Sequence, residues 1–218
     1  MNQKTLRLKR LIFPILVLLW LFYLPLAFVV YTPYSYPLYC HWNIRCTYLD
    51  APTLERAPLE LTEFFRHQRS TLTLPWSIKE TQHMLEVRGM YDKAFILFSA
   101  ITLIFAVDVW HSKRLASYHA YTRTSLRIAL GLAALIVVIA PFFGTFWMQV
   151  FHPLLFNNEL WRTDQNDLSW FLMPKQYFLW VILFLFGMTL LLHLLAMRIL
   201  GSLKLQEPNN LLEMRKYP

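Results

Sequence analysis

Glycine is scarce, five in 218 residues, and none sits in a phosphate-cradling pattern: there is no P-loop and no dinucleotide fingerprint. A GxSxG elbow and an HExxH pair are also missing, which sets aside the common serine-hydrolase and zinc-protease layouts. The two cysteines, Cys40 and Cys46, leave open a local disulfide, two free thiols, or a metal site with His41. That metal site lacks a fourth ligand and any standard zinc spacing. Acids are outnumbered, 13 against 21 lysines and arginines, for a net charge of +8. Internal repeats are absent, and so is the pair of interrupted spans from which many transporters build a site.

What the chain has in abundance is apolar length. Hydrophobic residues make up 56% of it and the mean hydropathy is +0.37, too apolar for a soluble domain. Four nearly uncharged runs reach the length of a membrane span: Leu11 to about Tyr31, Ala94 to about Trp110, Leu126 to about Val150, and Tyr177 to about Met197. Backbone groups in hydrocarbon need internal partners, so these runs are expected to be helices. The fold class is an all-α membrane protein. It is a bundle of four transmembrane helices in a single membrane domain, 1–218, with loops 32–93 and 151–176 carrying short interfacial helices. The first apolar core, about 20 residues, exceeds the 7–15 of a secretory signal and is read as a retained span. Twelve basic residues flank the spans on the side of the termini and of loop 111–125, against Glu207 and Glu213; the opposite side holds nine basic and ten acidic residues. Basic residues collect in cytoplasmic loops, so the termini are placed inside and the two long loops outside. The positive charge is thus a topology signal and calls for no nucleic acid.

Chemistry is concentrated in those two loops, where a rigid scaffold commonly carries function. Residues 53–69 alternate as an amphipathic segment suited to the outer leaflet, with His67 on its polar face. Ser77-Ile78-Lys79-Glu80 is a capping box that starts a helix running to about Tyr91, with Gly89 allowing a bend before the second span. Glu80, His83 and Glu86 fall three apart on one flank of that helix, where a carboxylate can fix the histidine's tautomer. Pro141 and Gly144 predict a kink in the outer half of the third span. His152 precedes Pro153 and is expected outside the α region, at a partly exposed turn. The segment continues through Trp161, Arg162, Asp164, Asp167 and Trp170 to Tyr177, and Asp164-Gln165-Asn166-Asp167 is a turn composition without the ligand spacing of a calcium loop. His193, near the inner end of the fourth span, reads as a packing residue, and Asp108 as a residue that snorkels or pairs locally.

Two stretches resemble a known family. Glu80-Thr81-Gln82-His83-Met84-Leu85-Glu86-Val87 is similar to its E-x-x-H-M-x-D-V signature, with Glu86 where aspartate is usual. Phe151-His152, Phe156, Trp161, Asp164, Asp167-Leu168, Pro174 and Tyr177-Phe178 are similar to its second signature. The family is a group of bacterial four-span inner-membrane proteins that includes the lipoprotein intramolecular transacylase. The resemblance implies a multi-pass cytoplasmic-membrane enzyme acting on diacylglyceryl-modified lipoproteins. It would move the sn-2 acyl chain of the modified cysteine to the α-amino group, without metal or organic cofactor. An amine attacking an ester needs a base, and histidine suits neutral pH. The expected division is His152 as base, with His83, oriented by Glu80 or Glu86, protonating the leaving oxygen or stabilising the oxyanion. An acyl-imidazole is an open second route. Arg88 and Arg162 are candidate oxyanion donors, Asp164 and Asp167 supporting residues, and Trp161 a headgroup-level anchor. The arrangement requires the two histidines within about 10 Å of each other. The competing reading is a non-catalytic assembly or sensor protein that holds a partner with its loops.

Overall fold

The computed structural model describes residues 3–73, 75–112 and 115–206, and among these there are helices and turns and no strand. Four helical stretches are long and apolar enough to cross a membrane: Arg7–Tyr31, Ile78–His111, Ser117–Leu155 and Lys175–Leu203. The basic residues Lys113, Arg114, Arg215 and Lys216, which contribute to the charge asymmetry, lie outside the described residues.

The first span belongs to α1 (Gln3–Tyr31). Short helix α2 (Ser35–Cys40) and a 3-10 turn (Ile44–Tyr48) follow, and Cys40 and Cys46 are joined by a disulfide. Next comes α3 (Ala51–Phe65), capped by the Asp50 side chain on the Thr53 N–H. The second span is the inner part of α4 (Ile78–Ser112), one helix unbroken through Gly89. Capped helix and span therefore form a single element, because nothing between Tyr91 and Ala94 breaks a helix. The third span begins as α5 (Leu115–Ile139) and passes through a 3-10 turn (Ala140–Phe142) and α6 (Phe143–Phe146). It then widens into a π turn (Trp147–Phe151) and ends in α7 (His152–Leu155). The expected irregularity at Pro141 and Gly144 is present. Helix α8 (Leu168–Leu172) precedes α9 (Lys175–Gln206), which carries the fourth span.

Helices α1, α5 and α9 pack against one another, and α4 lies against α1. Trp20 and Tyr23 stack on Phe98 across the α1–α4 contact, at 5.8 and 4.4 Å between ring centroids. Much of α4 and α5 presents Ile96, Leu103, Leu130 and Val138 outward, as helices facing lipid do, since acyl chains are as apolar as the side chains. Asp108 pairs with Lys9 and accepts from Tyr118 at 3.0 Å, so it pairs with a neighbouring helix. His193 is fully buried between α5 and α9, with Nε2 at 2.8 Å from Ser125 Oγ and Nδ1 at 2.7 Å from the Thr189 carbonyl.

A second correction concerns 53–69. The apolar face of α3 does not lie free on a leaflet: Leu61, Phe64 and Phe65 are at most 3% exposed. They sit in one core with Val29, Trp76, Met84, Leu172 and Tyr177. Packing against protein removes these three large side chains from water as insertion into lipid would, and the core they build supports the loop-bearing end of the bundle. His67, at positive φ (59°), is exposed and reaches Asp92 at 2.8 Å.

Candidate active site

The capping box forms as its spacing requires. Ser77 N–H donates to Glu80 Oε2 at 2.8 Å, and Glu80 N–H donates to Ser77 Oγ at 3.2 Å. The other carboxylate oxygen, Oε1, accepts the Ser169 N–H at 2.6 Å. One buried carboxylate thus ties the start of α4 to the start of α8. Asp167 completes the tie, accepting from Ser77 Oγ at 3.0 Å, Lys79 at 2.7 Å and the Asp164 N–H at 2.9 Å. Asp164 is exposed; the Asn166 N–H, and then Lys79 at 3.3 Å, hold its carboxyl below the usual carboxylate range. Both aspartates therefore build the loop.

With the start of α4 fixed, His83 stands one turn in. Its Nδ1 lies 3.6 Å from Glu86 Oε2, and neither atom has another partner. The remaining Glu86 oxygen accepts from Asn158 Nδ2 at 2.7 Å, so Glu86, and not Glu80, faces the imidazole. Asn158 lies in the turn after α7. Sequence reasoning missed it because nothing local marks an asparagine that reaches across to another helix.

His152 departs from expectation. It has α-helical torsions (φ −67°, ψ −47°) and is only 6% exposed. Pro153 supplies no N–H and is suited to the first turn of a helix, so a new helix, α7, opens here. The preceding turn relaxes to π geometry, in which the His152 N–H bonds to the Trp147 carbonyl five residues back. That carbonyl also accepts from His152 Nδ1 at 2.8 Å. Its two lone pairs thus hold backbone and ring of one residue, and Nε2 is the nitrogen left to work. Trp161 stacks on the imidazole at 4.5 Å, and its own Nε1 is held by the Asn158 carbonyl at 2.7 Å. Phe156 stacks on the same imidazole at 5.8 Å and meets His83 edge-on at 4.8 Å.

The two imidazole centroids are 6.3 Å apart, well inside the limit set by the sequence argument. Both line a cavity of about 250 Å3 with Trp147, Trp161, Ser169 and Met173, and Arg45, Lys175 and Gln176 line it too. The two arginines proposed as oxyanion donors are elsewhere. Arg88 lies over the Phe64 ring at 4.2 Å and donates to the Phe64 and Arg69 carbonyls, both at 3.3 Å. Arg162 is exposed, pairs with Glu159 at 3.2 Å and covers the outside of Trp161. Two neighbouring imidazoles, one with Nδ1 held by the Trp147 carbonyl and the other with Nδ1 turned toward Glu86, can move protons in both directions at one reacting centre.

A cavity lined by two imidazoles at one end of a bundle with four membrane-length helices defines an integral membrane protein with acid–base groups gathered at one site. The model of the lipoprotein intramolecular transacylase Lit family matches residues 11–178, and the chain belongs to that family. Among solved structures, it is similar to the membrane integral lipoprotein intramolecular transacylase Lit from Bacillus cereus. The TM-score is 0.77 at 18% identity over 93% of this chain and 99% of that one. Forms of the Bacillus cereus protein with one histidine replaced match as well. The arginine form has a TM-score of 0.72 at 19% identity over 93% and 94% of the two chains, and the alanine form 0.73 at 19% over 92% and 94%. No curated protein matches the chain.

Proposed function

We propose that the protein transfers the sn-2 acyl chain of a diacylglyceryl-cysteine, at the N-terminus of a bacterial lipoprotein, to the α-amino group of that cysteine. The observation that carries this reading is the 6.3 Å approach of His83 and His152 over one cavity. The amine nitrogen attacks the sn-2 ester carbonyl carbon while His152 Nε2 takes its proton. The tetrahedral oxyanion is met by donors on the cavity wall, and we assign this to Lys175 and Gln176 in place of Arg88 and Arg162. When the carbon–oxygen bond breaks, His83, oriented through Nδ1 by Glu86, protonates the departing glyceryl oxygen. An amide and a free sn-2 hydroxyl result: the N-acyl, S-monoacylglyceryl form. Atoms balance with no further reactant, because donor and acceptor are on one molecule.

The cavity takes the cysteine and glyceryl esters, while acyl chains run along the lipid-facing helices. We place it at the outer leaflet of the cytoplasmic membrane with both termini inside, in keeping with the charge asymmetry and with the Cys40–Cys46 disulfide. The test is a crossover experiment with purified protein and two diacylglyceryl lipopeptides that differ in peptide mass and acyl isotope. N-acyl, S-monoacyl products carrying only their own label support the reading. Unchanged lipopeptides, or labels scrambled between peptides, contradict it.

A further inference from the structure

Arg45 has no part in the proton transfers, yet it forms part of the cavity wall. It is carried on the 3-10 turn that the Cys40–Cys46 disulfide closes. The turn is pinned to α8 from both sides: Asn43 Nδ2 donates to the Phe171 carbonyl at 2.6 Å, and Arg45 Nη1 to the Trp170 carbonyl at 3.1 Å. The guanidinium lies over the Trp170 ring at 3.8 Å, which fixes its plane. Among the described lysines and arginines, ion pairs engage Lys9, Arg69, Lys79 and Arg162, and none engages Arg45. Glu80, the carboxylate that also lines the cavity, is 2% exposed and its two oxygens are taken by backbone N–H groups. Lys175 adds a second cation. The wall therefore offers a held guanidinium with unused donors, a geometry matched to a carboxylate.

Resting on the transacylase reading, we infer that Arg45 is a substrate-selecting residue that receives an acidic side chain directly after the lipidated cysteine. A cavity of about 250 Å3 is too small for acyl chains, so what it holds besides the esters is the first peptide unit. Successive Cα atoms are about 3.8 Å apart, which puts the next side chain within reach of the wall when the amine is at the histidines. Glutamate there meets an unpaired cation, and lysine meets a like charge that it cannot escape in a half-buried site.

The experiment compares turnover of diacylglyceryl lipopeptides with Glu or Lys after the cysteine, in neutral bicelles, by wild type, Arg45→Gln, Arg45→Lys and Arg45→Glu. The wild type should favour Glu about tenfold in kcat/KM. Arg45→Lys should keep the sign, Arg45→Gln should bring the ratio to about one, and Arg45→Glu should invert it. An equal Glu/Lys ratio in wild type, or one unmoved by these changes, overturns the inference. So does a ratio of one accompanied by Arg45-dependent inhibition from anionic lipid, which would make the occupant a headgroup phosphate. Binding of both lipopeptides to the His152→Ala protein separates the two failures. No turnover with a retained Glu preference in binding contradicts the reaction and keeps the subsite. Turnover with equal binding removes the subsite alone.

Discussion

At the residue scale, the account rests on which nitrogen of each imidazole is free. The Trp147 carbonyl holds His152 Nδ1 and Glu86 faces His83 Nδ1, so the proposal assigns proton transfer to Nε2 of each ring. Replacing His152 by alanine should lower the turnover rate about 10²–10⁴-fold, the usual worth of a positioned acid or base, with thermal stability in detergent checking that the fold persists. In the proposed mechanism Asn158 acts through Glu86, whose Oε1 accepts its side-chain N–H. Asn158→Ala should lower kcat about tenfold with little change in KM, and Asn158→Asp, which cannot donate to a carboxylate, should behave alike. A rise in KM alone would place Asn158 in binding. Below the ordinary range of histidine the base carries a proton and cannot take another, so kcat should fall on the acid side, measured as initial rate against pH.

At the element scale, the site depends on two irregular joints. Glu80 holds α4 to α8 through the Ser77 and Ser169 N–H groups; Glu80→Ala leaves both without a partner and should cost about 2–4 kcal/mol of stability, read from unfolding in detergent. The π turn is the second joint. Pro153→Ala restores an N–H that favours a regular α-helix, which would withdraw the His152 N–H from the Trp147 carbonyl and turn the imidazole out of line. We expect at least about a tenfold loss of rate with the helix content by circular dichroism unchanged. These joints also mark how far the sequence could be read. The capping box was legible because its two partners are three residues apart and bond each other. The burial and helical torsion of His152 were not: the rule for a residue before proline disfavours the helical region, and it is overridden here by the π turn that brings the His152 N–H to the Trp147 carbonyl, while Trp161 and Phe156 cover the ring. Arg88 was misplaced for a similar reason, since its acceptors, the Phe64 and Arg69 carbonyls, lie at the end of α3 and in the segment after it, whose path no periodicity describes.

At the scale of the whole molecule, the four spans were legible from apolar length alone, because hydrocarbon leaves a backbone so few options. The rest of the bundle is scaffold. The Ser125–His193–Thr189 contact lies between α5 and α9, apart from the cavity. Ser125→Ala should therefore lower stability by about 1 kcal/mol and leave the chemistry as it was. Orientation is open to a direct check: Gln165→Cys, on the exposed loop, should react with a membrane-impermeant maleimide on intact cells. The central claim is that the His83–His152 pair performs acyl migration on one lipoprotein. The most direct measurement is mass spectrometry of the N-terminal lipopeptide of a reporter lipoprotein. The host should make diacylglyceryl lipoproteins, lack its own N-acylation, and express wild type, His152→Ala or His83→Ala. The account predicts N-acyl, S-monoacyl lipopeptide with wild type and the diacyl form with either variant. Unchanged diacyl lipopeptide with folded wild-type protein, or full conversion by both variants, would contradict it.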